Sequence, residues 1–188
     1  VLTAPLGLGT LGHGAADLLG MQEMMMTMAI DPEFAHRVME HVTQAAMRRL
    51  DAIEEAGLNV ANAIGAMVES EPFGPVAANG RFSLKNCWGF ANSQEFDQVS
   101  PAMWEEFCLD YQKRIFERLG LVCYGCCENL TQKIDGVLSI PNLRIFVCSA
   151  WSNLDTVFER VNSNYCLMWR QKASDVVFPD DITTIRDD

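Results

Sequence analysis

The chain has 188 residues, 49% of them hydrophobic and 21% charged, with a formal net charge of −11. That length suggests one domain with about two thirds of its surface buried on folding, and the composition is globular rather than disordered. Against 25 acidic residues stand 14 basic ones with no basic run, which excludes a phosphate-binding nucleic-acid scaffold. No charge-free apolar stretch reaches the roughly 18 residues of a membrane span.

Val1 to Gly20 is apolar and Gly-rich but lacks the basic start of a signal peptide. Without an initiator Met, this start is expected to be a cut rather than a natural beginning. Val1 to Pro5 reads as a short strand, and His13 as part of a Gly-rich loop. The run Met24-Met25-Met26-Thr27-Met28 reads as adaptable core packing, ahead of a cofactor box. Asp31-Pro32-Glu33 is a helix start: an N-cap Asp, Pro at the first helical position and Glu in the first turn. Apolar residues follow at helical spacing from Phe34 to Ile53, so a helix is expected to about Ala56, closed by Gly57. His36 and His41 fall on it, where a surface or interhelix role is expected.

Leu58 to Met67 reads as a buried strand, Glu71 to Arg81 as a Gly- and Pro-containing loop, and Phe82 to Phe90 as a strand. Ser100-Pro101 opens a second helix, acidic at Glu105 and Glu106 and basic at Lys113 and Arg114, an order that complements the helix dipole; Gly120 closes it. Then come a strand (Leu121 to Tyr124), a short helix (Leu130 to Leu138), a strand (Arg144 to Val147), a helix (Asn153 to Val161) and a strand (Tyr165 to Trp169). The tail from Pro179 is acidic, with a following helix cut short. Strands alternating with helices across short connections indicate an α/β fold built of right-handed βαβ units around a parallel sheet.

Seven cysteines, an odd number, argue against a secreted disulfide scaffold and for reduced thiols in a cytoplasmic protein. Buried packing is the first expectation for each. The chemistry concentrates in Tyr124-Gly125-Cys126-Cys127-Glu128-Asn129, just past a strand. In parallel α/β folds, ligands gather at the C-terminal ends of strands. Thiols and a carboxylate there suit zinc, although adjacent cysteines bind one ion with difficulty, so one of Cys126 and Cys127 is the expected ligand. Cys148, at the end of the next strand, is placed to approach them or simply to fill space. Gln94 and Glu95, after the Phe82 to Phe90 strand, suit hydrogen bonds to a polar substrate or support behind a metal ligand; a solvated loop is the alternative. Arg170 and Lys172 would attract a carboxylate or phosphate, or form a solvated basic patch. No Ser/His/Asp order, Walker A loop or dinucleotide glycine motif is present.

Together, Asp31 to Met39, Asn92-Ser93-Gln94-Glu95, Ser100 to Phe107, Tyr124-Gly125-Cys126-Cys127-Glu128, Ile140 to Arg144 and Ser149-Ala150-Trp151 resemble the uroporphyrinogen decarboxylase superfamily. They are closest to its corrinoid-linked, methyltransferase-like branch. The resemblance implies a (β/α)8 TIM-barrel-like domain over residues 1–188, incomplete because it lacks the first strands and the last one. It implies transfer of a methyl group between a corrinoid protein and a thiol or similar acceptor, with zinc holding the acceptor as thiolate. The family's methyltransferases use a His-x-Cys motif and a late cysteine. Here the matching strand end reads Tyr124-Gly125-Cys126 or Gly125-Cys126-Cys127, without the histidine, and the late cysteine would fall beyond Asp188. Cys126 or Cys127, with Cys148 as substitute, are the implied metal donors. Glu95 and Glu128 are the implied catalytic or supporting carboxylates, and Gln94, Tyr124, Arg170 and Lys172 the substrate contacts. The implied partners are a corrinoid protein and a small-molecule substrate, with a homodimer as a further assembly, and neither nucleic acid nor membrane. The alternatives are a decarboxylase of the same fold, or a catalytically inactive piece of the barrel.

Overall fold

A computed structural model of the chain describes residues 10–57, 83–161 and 163–177. The strands expected at Val1 to Pro5 and Leu58 to Met67, the Glu71 to Arg81 loop and the tail from Pro179 lie outside the described residues.

Two helices precede the long one: α1 (Leu11–Leu19) and α2 (Met21–Ile30). His13 is therefore on a helix and not in a loop. Gly12 and Gly14, which suggested a loop, are helical; at Gly12 α1 comes so close to Phe96 that a Cβ would stand 2.8 Å from Phe96 Cε2. The methionine run forms α2, with Met24 and Met28 buried one turn apart and Met21 and Met26 exposed. The third helix, α3 (Pro32–Glu55), starts where the Asp-Pro signal places it. Asp31 Oδ1 accepts from the Phe34 amide at 3.1 Å, and the chain leaves the helix through Gly57 at φ 63°.

The first described strand, β1 (Trp88–Ala91), is shorter than the expected Phe82 to Phe90. Asn86 Oδ1 accepts from the Ser83 amide (3.1 Å), which curls Leu84–Asn86 into a single 3-10 turn. The helix opened by Ser100 and Pro101 runs as α4 (Pro101–Trp104), a π turn (Glu105–Leu109) and α5 (Asp110–Phe116). Phe107, Cys108 and Leu109, consecutive in the π turn, are all buried. Then follow β2 (Leu121–Tyr124), α6 (Ile134–Leu138), β3 (Leu143–Cys148), α7 (Leu154–Arg160), β4 (Cys166–Trp169) and α8 (Ala173–Val177). Asn153 caps α7, its Oδ1 accepting from the Thr156 amide at 2.9 Å.

The sheet is α/β in type: its four strands are parallel, in the order β1-β2-β3-β4. The register slips once. Val122 pairs with Leu143 but Cys123 pairs with Ile145, so Arg144 is an extra residue on β3.

Both faces of the sheet are apolar, as expected of a parallel sheet. On one face Val122, Tyr124, Phe146 and Cys148 share a core with helix residues such as Trp104, Ile115 and Val157. On the other, Trp88, Cys123, Ile145 and Val147 form a separate buried cluster with Phe90, Leu121 and Met168, which among the described residues consists of strand residues alone. The α3–α5 seam is tied by polar contacts: Arg114 forks onto Glu40, and Arg118 reaches both Asp51 and Glu54. His36 holds an interhelix position, Nδ1 2.8 Å from the Tyr111 hydroxyl and its ring stacked on Phe107 at 4.6 Å. Among the described residues, no helix is long and apolar enough to cross a membrane.

Candidate functional site

The C-terminal ends of the four strands lie along one rim, and the loops leaving them carry most of the candidate residues. At the end of β2 the chain turns sharply through Gly125, whose φ of 112° is reserved for glycine. A Cβ there would also stand 2.8 Å from the Val147 carbonyl oxygen of β3. This close approach sets Cys126 and Cys127 at the mouth of the sheet.

Their sulfurs lie 3.6 Å apart. Arg170, leaving β4, brings Nη1 to 3.3 Å from Cys126 Sγ and 4.0 Å from Cys127 Sγ. Burial pushes the Cys126 thiol above its ordinary pKa, the hydrogen bond with Cys127 adds to that, and the Arg170 guanidinium opposes it. Cys126 therefore rests as a thiol near neutral pH, with a cation beside it that opposes the effect of burial.

The thiols and Arg170 line a hollow of about 420 Å³, shared with Ser149, Trp151 and Lys172. Among the described residues, no carboxylate lines this hollow, while two cations do. In a chain of net charge −11 that is a local reversal of sign, suited to a small anion. Lys172 lies over the Trp151 ring at 5.6 Å, and Trp151 is itself 65% exposed. A second hollow of about 480 Å³ adjoins on the other side of Cys127, with Gln94, Asp97, Glu128 and Trp151 on its walls. Trp151 thus divides two hollows. Sequence reasoning gave it no role; its place just past the end of β3 was the available signal.

Glu128 is buried and acts as a strut. Oε1 accepts from the Ser93 amide at 2.7 Å and Oε2 from the Cys126 amide at 3.0 Å, so one carboxylate ties the loop after β1 to the loop after β2. Glu95 turns away from both hollows towards α1, with Oε1 3.5 Å from His13 Nδ1. Tyr124, expected to touch substrate, is fully buried on the helix side. Its hydroxyl donates to Gln112 Oε1 at 2.9 Å, and burial raises its pKa well above the ordinary phenol value. The reason is strand alternation: Tyr124 shares its face with Val122, away from the strand-only cluster.

Cys148 is fully buried in the same helix-side core, its Sγ 3.8 Å from the Ser149 carbonyl oxygen. It adds no third donor to Cys126 and Cys127. Among the described residues, no group of three or more His, Cys, Asp and Glu side chains is disposed to hold a metal ion. A closed or catalytic zinc site needs at least three protein ligands. Two thiols with a guanidinium against them do not supply that set.

No family model, curated protein or solved structure matches this chain.

Proposed function

We propose that the chain is a methyltransferase-like enzyme domain of the uroporphyrinogen decarboxylase type, which holds a small anionic acceptor in the hollow at the ends of β2, β3 and β4. The observation that carries this reading is the joining of Cys126, Cys127, Arg170 and Lys172 in one hollow whose lining, among the described residues, contains no carboxylate. The consecutive, parallel order of the four described strands and the buried cluster that strand residues form among the described residues support a place for this sheet in a (β/α)8 barrel, whose interior is filled by strand side chains.

In this reading Arg170 and Lys172 bind the acid group of the acceptor, Arg170 by a charge-assisted fork and Lys172 as a point charge. Trp151 supplies an aromatic wall beside the bound molecule. Glu128 holds the Cys126 loop in place from below and is a positioning residue. A cobamide carried by a separate corrinoid protein supplies the methyl group. The acceptor thiol would release its proton to water and take that methyl group through its sulfur, while Arg170 and Lys172 hold its acid group in the hollow.

The test uses the full chain with free methylcobalamin and a thiol that bears a carboxylate or sulfonate. The expected result is protein-dependent growth of the cobalt(I) absorption. A charge-assisted hydrogen bond contributes about 1.5–3 kcal/mol, so Arg170→Gln should lower kcat/KM for the acidic thiol at least tenfold, and barely affect a neutral thiol. No cobalt(I) with any thiol, or equal losses for acidic and neutral thiols, sinks the proposal.

A further inference from the structure

From the geometry of the vicinal thiols we infer that Cys126 and Cys127 form a redox-active dithiol, a modification site that two-electron oxidants close into a reversible vicinal disulfide. The inference stands on the geometry of the pair alone and does not depend on methyl transfer.

Three observations carry it. The sulfurs are already 3.6 Å apart, within reach of bonding after a small rotation. They face a hollow of about 420 Å³, so a small oxidant can reach them, and Cys127 is exposed while Cys126 is half-buried. Arg170 Nη1, 3.3 Å from Cys126 Sγ, favours whichever sulfur carries charge during the exchange. By contrast Cys87, Cys108, Cys123 and Cys148 are buried, and Cys166 is exposed on β4.

The chemistry balances with peroxide as oxidant. The exposed Cys127 thiolate attacks one peroxide oxygen, giving a sulfenic acid and hydroxide. The Cys126 sulfur then attacks the Cys127 sulfur and expels the sulfenic oxygen as water. The two thiols lose two electrons and two protons, and peroxide becomes two waters. Adjacent Cα atoms stand only about 3.8 Å apart across a trans peptide. Disulfides ordinarily span roughly 4.4–6.8 Å between Cα atoms. The product is therefore strained and easily reduced, the property of switching rather than structural disulfides.

The experiment treats the native full chain with one equivalent of hydrogen peroxide, blocks the remaining thiols after denaturation, digests with trypsin and measures peptide masses. The peptide running from Leu119 to Lys133 holds Cys123, Cys126 and Cys127. The expected result is a single blocking group, on Cys123, with the mass of two hydrogens missing between Cys126 and Cys127. Reduced glutathione should restore both hydrogens. Cys126→Ser and Cys127→Ser, each nearly isosteric, should each abolish the loss. The inference is overturned if the two hydrogens are still lost in either variant, if Cys127 ends as sulfinic acid with Cys126 blocked, or if Cys166 is oxidised before the pair.

Discussion

Replacing Glu128 by glutamine separates a strut from a chemical group. The carboxylate accepts from two amides, Ser93 N at 2.7 Å and Cys126 N at 3.0 Å, in a site where the residue is 2% exposed. Hydrogen bonds to a charged group contribute about 1.5–3 kcal/mol each, and a buried donor left without an acceptor costs about 1–3 kcal/mol. Glutamine keeps one carbonyl oxygen for one amide and turns an NH2 towards the other, so one bond is lost and two donors face each other. The expected loss is about 2–4 kcal/mol. At about 2–4 °C per kcal/mol for a chain of this size, the midpoint of thermal unfolding should fall by about 5–15 °C. Urea unfolding followed by circular dichroism gives the free energy directly. If Glu128→Gln unfolds within about 0.5 kcal/mol of the parent, the range of an ordinary surface change, the strut argument is wrong. If it does so while activity disappears, Glu128 takes part in the reaction itself.

Glu40 offers a pH test. The Arg114 fork, helped by Gln44, holds its carboxyl at about 2, below the usual 4.5. A depressed carboxylate stabilises the fold above its unfolded value, and that contribution fades as pH falls from 4.5 to about 2. Both side chains are about two fifths exposed, so solvent screening limits the effect to about 1 kcal/mol at most. Glu40→Gln should therefore unfold at lower urea than the parent near neutral pH in low salt, and at the same urea near pH 2; a gap that persists in acid contradicts the pairing. Gly136→Ala tests packing on α6, where a Cβ would stand 2.4 Å from Trp104 Cζ3 and 2.9 Å from Cη2, and Trp104 is fully buried. Helix propensity alone would favour alanine by up to about 1 kcal/mol. Overpacking should prevail, with a net loss of about 1–3 kcal/mol by urea unfolding, and a stabilised variant would show that the indole has room to move.

The elements that the sequence declared plainly were those with a local physical signature. Asp31-Pro32 marks the start of α3 because the side chain and the ring each act on their own turn of backbone. The runs Leu121 to Tyr124 and Arg144 to Val147 are short, apolar and bounded by turn residues, as buried parallel strands are. The helices α1 and α2 were hidden for the opposite reason. Gly12 and Gly14 weaken the local helical preference, and contact with Phe96 overrides it. The site shows the same division. That Cys126, Cys127, Arg170 and Lys172 meet on one rim followed from each lying just past a strand end. The directions of Tyr124, Glu95 and Cys148 did not follow, because a side chain's face depends on register and turn geometry fixed by distant residues.

The single slip between β2 and β3 decides which side chains of β3 belong to which core. Were Arg144 an ordinary strand residue instead of a bulge, Leu143 and Ile145 would share one face by simple alternation; with the bulge, Leu143 packs with the helices and Ile145 with the strand-only cluster. The bulge thus keeps Leu143 on the face of its partner Val122 and Ile145 on the face of its partner Cys123. A one-residue insertion between Ile145 and Phe146 would exchange the two linings at the rim, turning the Cys148 thiol to the opposite face and sending Val147 among the helices. Length, rather than composition, is what this short strand cannot vary.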